Sequence, residues 1–380
     1  MLNRQELQDA FLSHFGQPAA LTVHAPGRVN LIGEHTDYNG GFVFPAAINF
    51  GTWIAACKRS DNQVVAVAMD INGNENSFYL DDIQFDHNQS WANYVRGVVK
   101  MLQQAYPDIN GMSLMITGNV PQGAGLSSSA SFEIALLRAF SDAYGLSLTG
   151  VEAALLGQKA ENDFVGCSCG IMDQLVSALG GEDQAMLLDC EALTYRHTTL
   201  PDELAIVIIN SNVKRGLVDS EYNIRREQCE EAAGVLQVTS LRHATLEQLE
   251  QHKPELKNTV YQRAHHVITE NARTLAMFDA LEAGDIAKVS QVMAESHVSM
   301  RDDFEITVPQ IDFLVEQIAQ VVGDKGGVRM TGGGFGGCVV ALIPKKLVEK
   351  VSDTVNNFYY SHTGLTAAIY VCSAERGAFA

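Results

Sequence analysis

Three segments combine residue types and spacings that packing alone does not demand. The first is PQGAGLSSSA, residues 121–130, where two glycines and three serines follow a predicted strand and open a predicted helix. Glycine lets a backbone approach an anion closely, and a helix N-terminus presents unpaired N–H groups with partial positive charge. Together they form a phosphate cradle, and serine hydroxyls add donors or ligands for a hard cation such as Mg2+. The lysine of a P-loop is missing, because no Gly-Lys pair occurs in the chain, and protein-kinase motifs are absent too. A serine-capped helix after an ordinary turn has the same composition, although three serines exceed what a cap uses.

The second segment is GRVNLIGEHTDYNGG, residues 27–41, which crowds Arg28, Glu34, His35 and Asp37 between glycines. Two carboxylates and an imidazole can hold several sugar hydroxyls in fixed orientation, and an arginine can neutralise developing phosphoryl charge. A solvated turn with a local ion pair is the plainer alternative. The third is RMTGGGFGGCVVAL, residues 329–342. Its Gly332, Gly334 and Gly337 satisfy G-x-G-x-x-G, but a β-branched run follows instead of a helix. It therefore reads as a tight loop between two strands, able to lean on the serine loop or to hold no ligand at all. Two acidic residues complete the set. Glu161 falls near the end of one predicted helix and Asp173 at the start of the next. A carboxylate kept ionised by the helix dipole suits acceptance of a hydroxyl proton, although an Asp in that position is commonly a cap.

The elements that must position these residues follow from periodicity. Leu7, Phe11 and Phe15 recur at helical spacing over residues 3–15. Strand-like stretches lie near 53–57, 64–69, 112–117, 185–190, 204–210 and 366–373. Helical runs lie at 91–105, 128–144, 149–163 and 172–179, and 218–300 is largely helical. Interleaved strands and helices predict an α/β (or α+β) architecture. The 380 residues, 46% of them hydrophobic, suffice for two domains. A boundary near 205–215 is expected, giving units of 1–208 and 209–380. The net charge of −19 repels a nucleic-acid backbone and an anionic membrane surface. Seven cysteines without a C-x-x-C framework are expected as thiols of a reducing compartment. The polar N-terminus and the lack of an apolar run of about 18 residues predict a cytoplasmic protein outside the membrane.

Taken together, the three segments resemble the galactokinases, within the GHMP family of small-molecule kinases that includes homoserine, mevalonate and phosphomevalonate kinases. GRVNLIGEHTDYNGG is similar to the galactokinase signature, PQGAGLSSSA and RMTGGGFGGC to the family's second and third motifs, and CGIMDQ and SEYNIRRE to galactokinase sequence elsewhere. The resemblance runs over nearly the whole chain. It implies a two-domain fold, an N-terminal domain like ribosomal protein S5 and a ferredoxin-like C-terminal domain, with the active site in the cleft between them. It implies ATP-dependent phosphorylation of galactose at the anomeric hydroxyl, the first committed step of the Leloir pathway. Galactose would be bound by Glu34, His35, Thr36, Asp37, Gly170 and Tyr222. Gly123, Ala124, Gly125, Leu126, Ser127, Ser128 and Ser129 would wrap the ATP phosphates, and Ser129 and Glu161 would ligate Mg2+. Asp173 would accept the proton, with Arg28 stabilising the transferring group. A monomer with no obligate protein partner is expected. A kinase for N-acetylgalactosamine or another sugar is one alternative. A non-catalytic galactose and ATP sensor is another, but such sensors have a disrupted serine loop, and here it is intact.

Overall fold

The computed structural model describes residues 3–380 apart from 122–123, 168 and 214–217. The first half begins with helix α1 (Arg4–Phe15) and strand β1 (Leu21–Asn30). Strands β2 (Phe42–Val43), β3 (Pro45–Lys58), β4 (Gln63–Ala68) and β5 (Asn74–Tyr79) follow, then α2 (Ala92–Ala105), β6 (Met112–Gly118), α3 (Ser128–Tyr144), α4 (Gly150–Ala160) and α5 (Met172–Leu179). Next come β7 (Gln184–Asp189), β8 (Thr194–Thr199) and β9 (Leu204–Asn210). The second half contains α6 (Val218–Val235), α7 (Leu246–His252), α8 (Asn258–Glu282), α9 (Ile286–Asp302) and α10 (Pro309–Val322). It ends with β10 (Gly327–Thr331), β11 (Cys338–Pro344), α11 (Val348–Thr363) and β12 (Ala368–Cys372). Among the described residues no helix is long and apolar enough to cross a membrane.

Alternation along the strands decides where the helices go, because successive side chains point to opposite faces. A five-stranded sheet has the order β1-β3-β6-β4-β5. Ile54 and Ala56 of β3, Leu114 and Ile116 of β6, and Val64 and Ala66 of β4 face a core shared with α2, α3, α4 and α5. The intervening Ala55, Met115 and Val67 face Leu7 and Phe11 of α1. A four-stranded sheet, β10-β11-β9-β12, is buried on both faces at its centre. Ala205, Val207 and Ile209 of β9 pack under the second-half helices. Leu204, Ile206 and Ile208 of the same strand join Val29, Leu31, Phe44 and Ile48 from the first half in a third core.

That third core fastens the halves together. A cut at 208/209 falls inside β9, which pairs with β11 and β12 and so belongs to the second sheet. The chain's end also returns to the first half. Ala374 bridges Ile48, the Glu375 N–H donates to the Ala47 carbonyl at 3.0 Å, and Phe379 packs on the first core.

Candidate active site

Arg28 is aimed by an irregularity in the edge strand. The pairing of β1 with β3 slips between Pro26 and Gly27, so that Pro26 faces Gly51 while Gly27 faces Ile48. Such bulges bend a strand and redirect its side chains. Gly27 is required there, because a Cβ would stand 2.7 Å from the Leu126 carbonyl oxygen. Beyond the bulge Val29 enters the central core, and Arg28 on the opposite face reaches α5. Its Nε and Nη2 donate to Asp173 Oδ1 and Oδ2 at 2.8 and 2.7 Å, and its Nη1 donates to the Gly125 carbonyl at 2.6 Å. This planar, two-pronged pairing fixes the carboxylate and ties it to the glycine–serine turn.

The turn itself does not behave as a serine cap. Ser127 occupies the cap position of α3 in a left-handed conformation, φ 59°, and makes no capping hydrogen bond. Its hydroxyl donates to Asp173 Oδ2 instead. Asp173 is not a cap either: it lies inside the first turn of α5, where Ile171 is the cap residue. Ala124 and Leu126 are buried in the central core, so only their backbone faces outward chemistry. Gly123 lies outside the described residues. Ser128 and Ser129 open the first turn of α3, where the N–H groups have no partner within the helix.

Opposite Asp173 stands the second segment. A cavity of about 490 Å3 is lined by Arg28, Glu34, His35, Asp37, Gly170, Asp173 and Tyr222, together with Gly332 and Gly333. The size suits a small-molecule cleft. Glu34 accepts from Asn30 Nδ2 at 2.9 Å, from Thr331 Oγ1 at 2.9 Å and from the Gly332 N–H at 2.8 Å, and it pairs with buried Arg329 at 3.1 Å. His35 takes φ 63° and is 4% exposed, with Nδ1 2.9 Å from the Tyr38 hydroxyl. Its Nε2 is buried without a partner. Burial drives its pKa down to about 3, so the ring is neutral. Burial, and then the charge of Asp173, raise Asp37 to about 6. Gly170 is a glycine by necessity, since a Cβ would come within 1.9 Å of Asp37 Oδ2. Thr36 departs from expectation. It is fully buried, and its hydroxyl sits 2.6 Å from the Phe42 carbonyl and 2.9 Å from that of Gly33, so it shapes the turn and does not line the cavity.

The glycine loop 332–337 joins β10 to β11 as an antiparallel hairpin, as its β-branched flanks predict. Gly332, Gly334, Gly336, Gly337 and Phe335 all have positive φ. The loop leans toward the sugar-side turn through Gly332 and Glu34, and toward Ile306 beside Gly334. Among the described residues no hydrogen bond joins it to the serine turn. Arg329 and Thr331 at the end of β10 account for that direction, because both are anchored on Glu34 and on first-half carbonyls.

Glu161 begins a π-helical turn, Glu161–Val165, that extends α4. It is 5% exposed, hydrogen-bonds with Ser129 and accepts from Gln174 Nε2 at 2.8 Å. Burial pushes its pKa up, and burial together with the charge of Glu161 pushes fully buried Glu133 well above the carboxylate range. Such crowding of acids around a serine hydroxyl is relieved by a hard cation.

Sequence reasoning missed a second cavity of about 210 Å3, lined by Trp91, Tyr94, Phe132, Ile71 and Val120 together with Ser128 and Ser129. Trp91 Nε1 is buried there without an acceptor. Aromatic residues three apart at a helix start are as common in cores as in ligand sites, so only their neighbours reveal the cavity.

Comparison with known proteins agrees with this geometry. The galactokinase galactose-binding signature matches residues 9–58, the GHMP kinase N-terminal domain residues 93–181 and the GHMP kinase C-terminal domain residues 277–361. Mevalonate kinase from Methanococcus jannaschii shares the fold at 18% identity, TM-score 0.67, covering 94% of this chain and 98% of that one. A D-glycero-D-manno-heptose 1-phosphate kinase from Bacteroides thetaiotaomicron does so at 16% identity, TM-score 0.61, covering 94% and 97%. The architecture is therefore that of a two-domain GHMP kinase. Lactococcus lactis galactokinase, solved with galactose, is 36% identical with a TM-score of 0.92, over 98% of each chain. The chain belongs to the galactokinase family.

Proposed function

We infer that this protein transfers the γ-phosphoryl group of ATP to the anomeric hydroxyl of galactose. The observation that carries this reading is Arg28. One guanidinium holds Asp173 on the sugar-side cavity and also holds the Gly125 carbonyl of the turn that opens α3. Arg28 thereby joins the serine turn to the cavity that residues of the other two segments line.

Glu34, His35, Asp37, Gly170 and Tyr222 orient the sugar, and Thr36 only shapes their turn. The N–H groups from Ala124 to Ser129 receive the phosphates. The aromatic cavity beside Ser128 and Ser129 takes the nucleobase, with the Trp91 N–H available to an acceptor. Ser129 and Glu161 are the protein's oxygen donors for Mg2+, which when bound neutralises phosphate charge; their contact and the crowded acids behind them support the assignment. Phosphoryl transfer passes through a loose transition state, so orientation and charge dominate. Asp173, held at both oxygens by Arg28 and Ser127, accepts the sugar proton late in transfer. Arg28 neutralises the charge of the moving group. The intact serine turn and Arg28–Asp173 pair favour a catalyst over a sensor. A monomer acting in the cytoplasm is part of the same proposal.

The test is purified protein with ATP, Mg2+ and a panel of sugars including galactose and N-acetylgalactosamine. Galactose 1-phosphate is the expected product, and its absence would sink the reading. Asp173→Ala should lower kcat by roughly 10²- to 10⁴-fold while ATP still binds. Near-normal turnover would remove Asp173 from its role.

A further inference from the structure

Helix α8 belongs to the second half, yet one of its faces is committed to the backbone of the turn that carries Glu34, His35 and Asp37. His266 Nε2 lies 3.1 Å from the Glu34 carbonyl, Glu270 Oε1 accepts the Gly33 N–H at 3.1 Å, and Asn271 Oδ1 accepts the Phe42 N–H at 2.8 Å. Two contacts hold the turn at its start, at Gly33 and Glu34, and the third holds its end at Phe42. None of these side chains lines the sugar-side cavity. His266 and Glu270 are fully buried, and Asn271 is 9% exposed.

The turn needs such support. His35 is held at φ 63°, a conformation that a non-glycine residue adopts only when its surroundings enforce it. Gly41 sits so close to α8 that a Cβ would stand 2.3 Å from Asn271 Oδ1. The supporting groups are themselves fixed. Glu270 also accepts from Ser296 Oγ at 2.6 Å and from Arg273 Nε at 2.7 Å. A carbonyl oxygen only accepts, so His266 Nε2 carries the proton; Nδ1 lies 2.9 Å from Ser299 Oγ, whose hydroxyl donates to Asp303 Oδ2 at 2.9 Å. Supporting groups that are themselves hydrogen-bonded hold the backbone they contact in one geometry.

We propose that His266, Glu270 and Asn271 are positioning residues for sugar recognition, making α8 a structural part of the galactose site without touching the substrate. The proposal rests on the functional reading above. It is tested by steady-state kinetics with galactose and ATP varied separately, and by calorimetric galactose binding, on wild type, His266→Ala, Asn271→Ala and His266→Gln. A glutamine amide can place an N–H near the position of Nε2. The alanine variants should raise the galactose KM and Kd at least tenfold with the ATP KM within twofold. His266→Gln should recover to within threefold of wild type. Each variant's cooperative thermal transition is checked first, and should one alanine variant fail to fold, the other decides. Folded alanine variants with an unmoved galactose KM, or with both KM values rising in parallel, overturn the proposal. Wild-type protein that does not phosphorylate galactose overturns the functional reading instead, so the two failures are distinct.

Discussion

Asp37 is a carboxylate with little room and much negative company. Burial and Asp173 place its pKa at about 6, against an ordinary 3.8. Only the ionised form accepts hydrogen bonds at both oxygens from sugar hydroxyls. The galactose KM should therefore climb as pH falls through about 6, while Asp37→Asn, already weak, should lose that pH dependence. The folded pKa is the raised one, so the residue's contribution to stability is complete below about 4 and disappears as pH rises through about 6. Gly170 tests the same contact sterically. A methyl group 1.9 Å from Asp37 Oδ2 cannot be accommodated without moving one of them. Gly170→Ala should raise the galactose KM by at least tenfold and leave the ATP KM near normal; equal effects on both substrates would argue against the assigned sugar subsite.

At the scale of elements, the proposed nucleotide side is built by α3 and α2 together. The first turn of α3 supplies Ser128 and Ser129, and α3 is pinned to the sheet because Ser131 Oγ lies 2.9 Å from the Ala25 carbonyl and 2.8 Å from Thr52 Oγ1. Trp91, just ahead of α2, closes the aromatic cavity beside them. The chain has only two tryptophans, and the other, Trp53, lies on β3 against the N-terminal helix cluster. ATP should change the intrinsic tryptophan emission, and Trp91→Phe should abolish most of that change. Trp91→Ala should raise the ATP KM more than the galactose KM. A signal that survives in Trp91→Phe would move the nucleobase elsewhere.

For the whole molecule, the central core matters more than the domain division. Val29, Leu31 and Ile48 pack against Ile206, Ile208 and Val340 with no solvent layer between halves. Three histidines resist protonation, two of them, His35 and His266, buried and the third, His24, half-buried. His24, His35 and His266 have pKa values lowered from 6.5 to about 4, 3 and 4, in each case mainly by burial. The unfolded chain takes up these protons as pH drops below about 6.5, and the folded chain does not. The stability they contribute is present above that pH and is lost as pH falls toward 4, opposite in sign to the effect of Asp37. Urea midpoints should therefore decline steadily between pH 6.5 and 4.5. A flat profile would show that these rings protonate without unfolding.

Much of the site was legible in local sequence because its chemistry is local. Arg28 near the end of β1 is followed closely by the turn that carries Glu34, His35 and Asp37, and Gly125 to Ser129 share another turn, so spacing and residue type marked both groups as candidates, one for phosphate and one for sugar hydroxyls. Periodicity likewise determined most helices and strands, since alternation is a property of neighbours along the chain. What adjacency could not supply was the partner of each group. Ser127 reads as part of a phosphate loop but its hydroxyl is bonded to Asp173, Thr36 reads as a ligand but bonds backbone carbonyls, and the glycine hairpin holds Glu34. Trp91 and α8 gain their meaning only from residues far away in sequence. Those pairings were decided by tertiary structure, because a buried donor or acceptor must find whatever partner the folded core brings within about 3 Å, and a one-dimensional pattern does not encode that proximity.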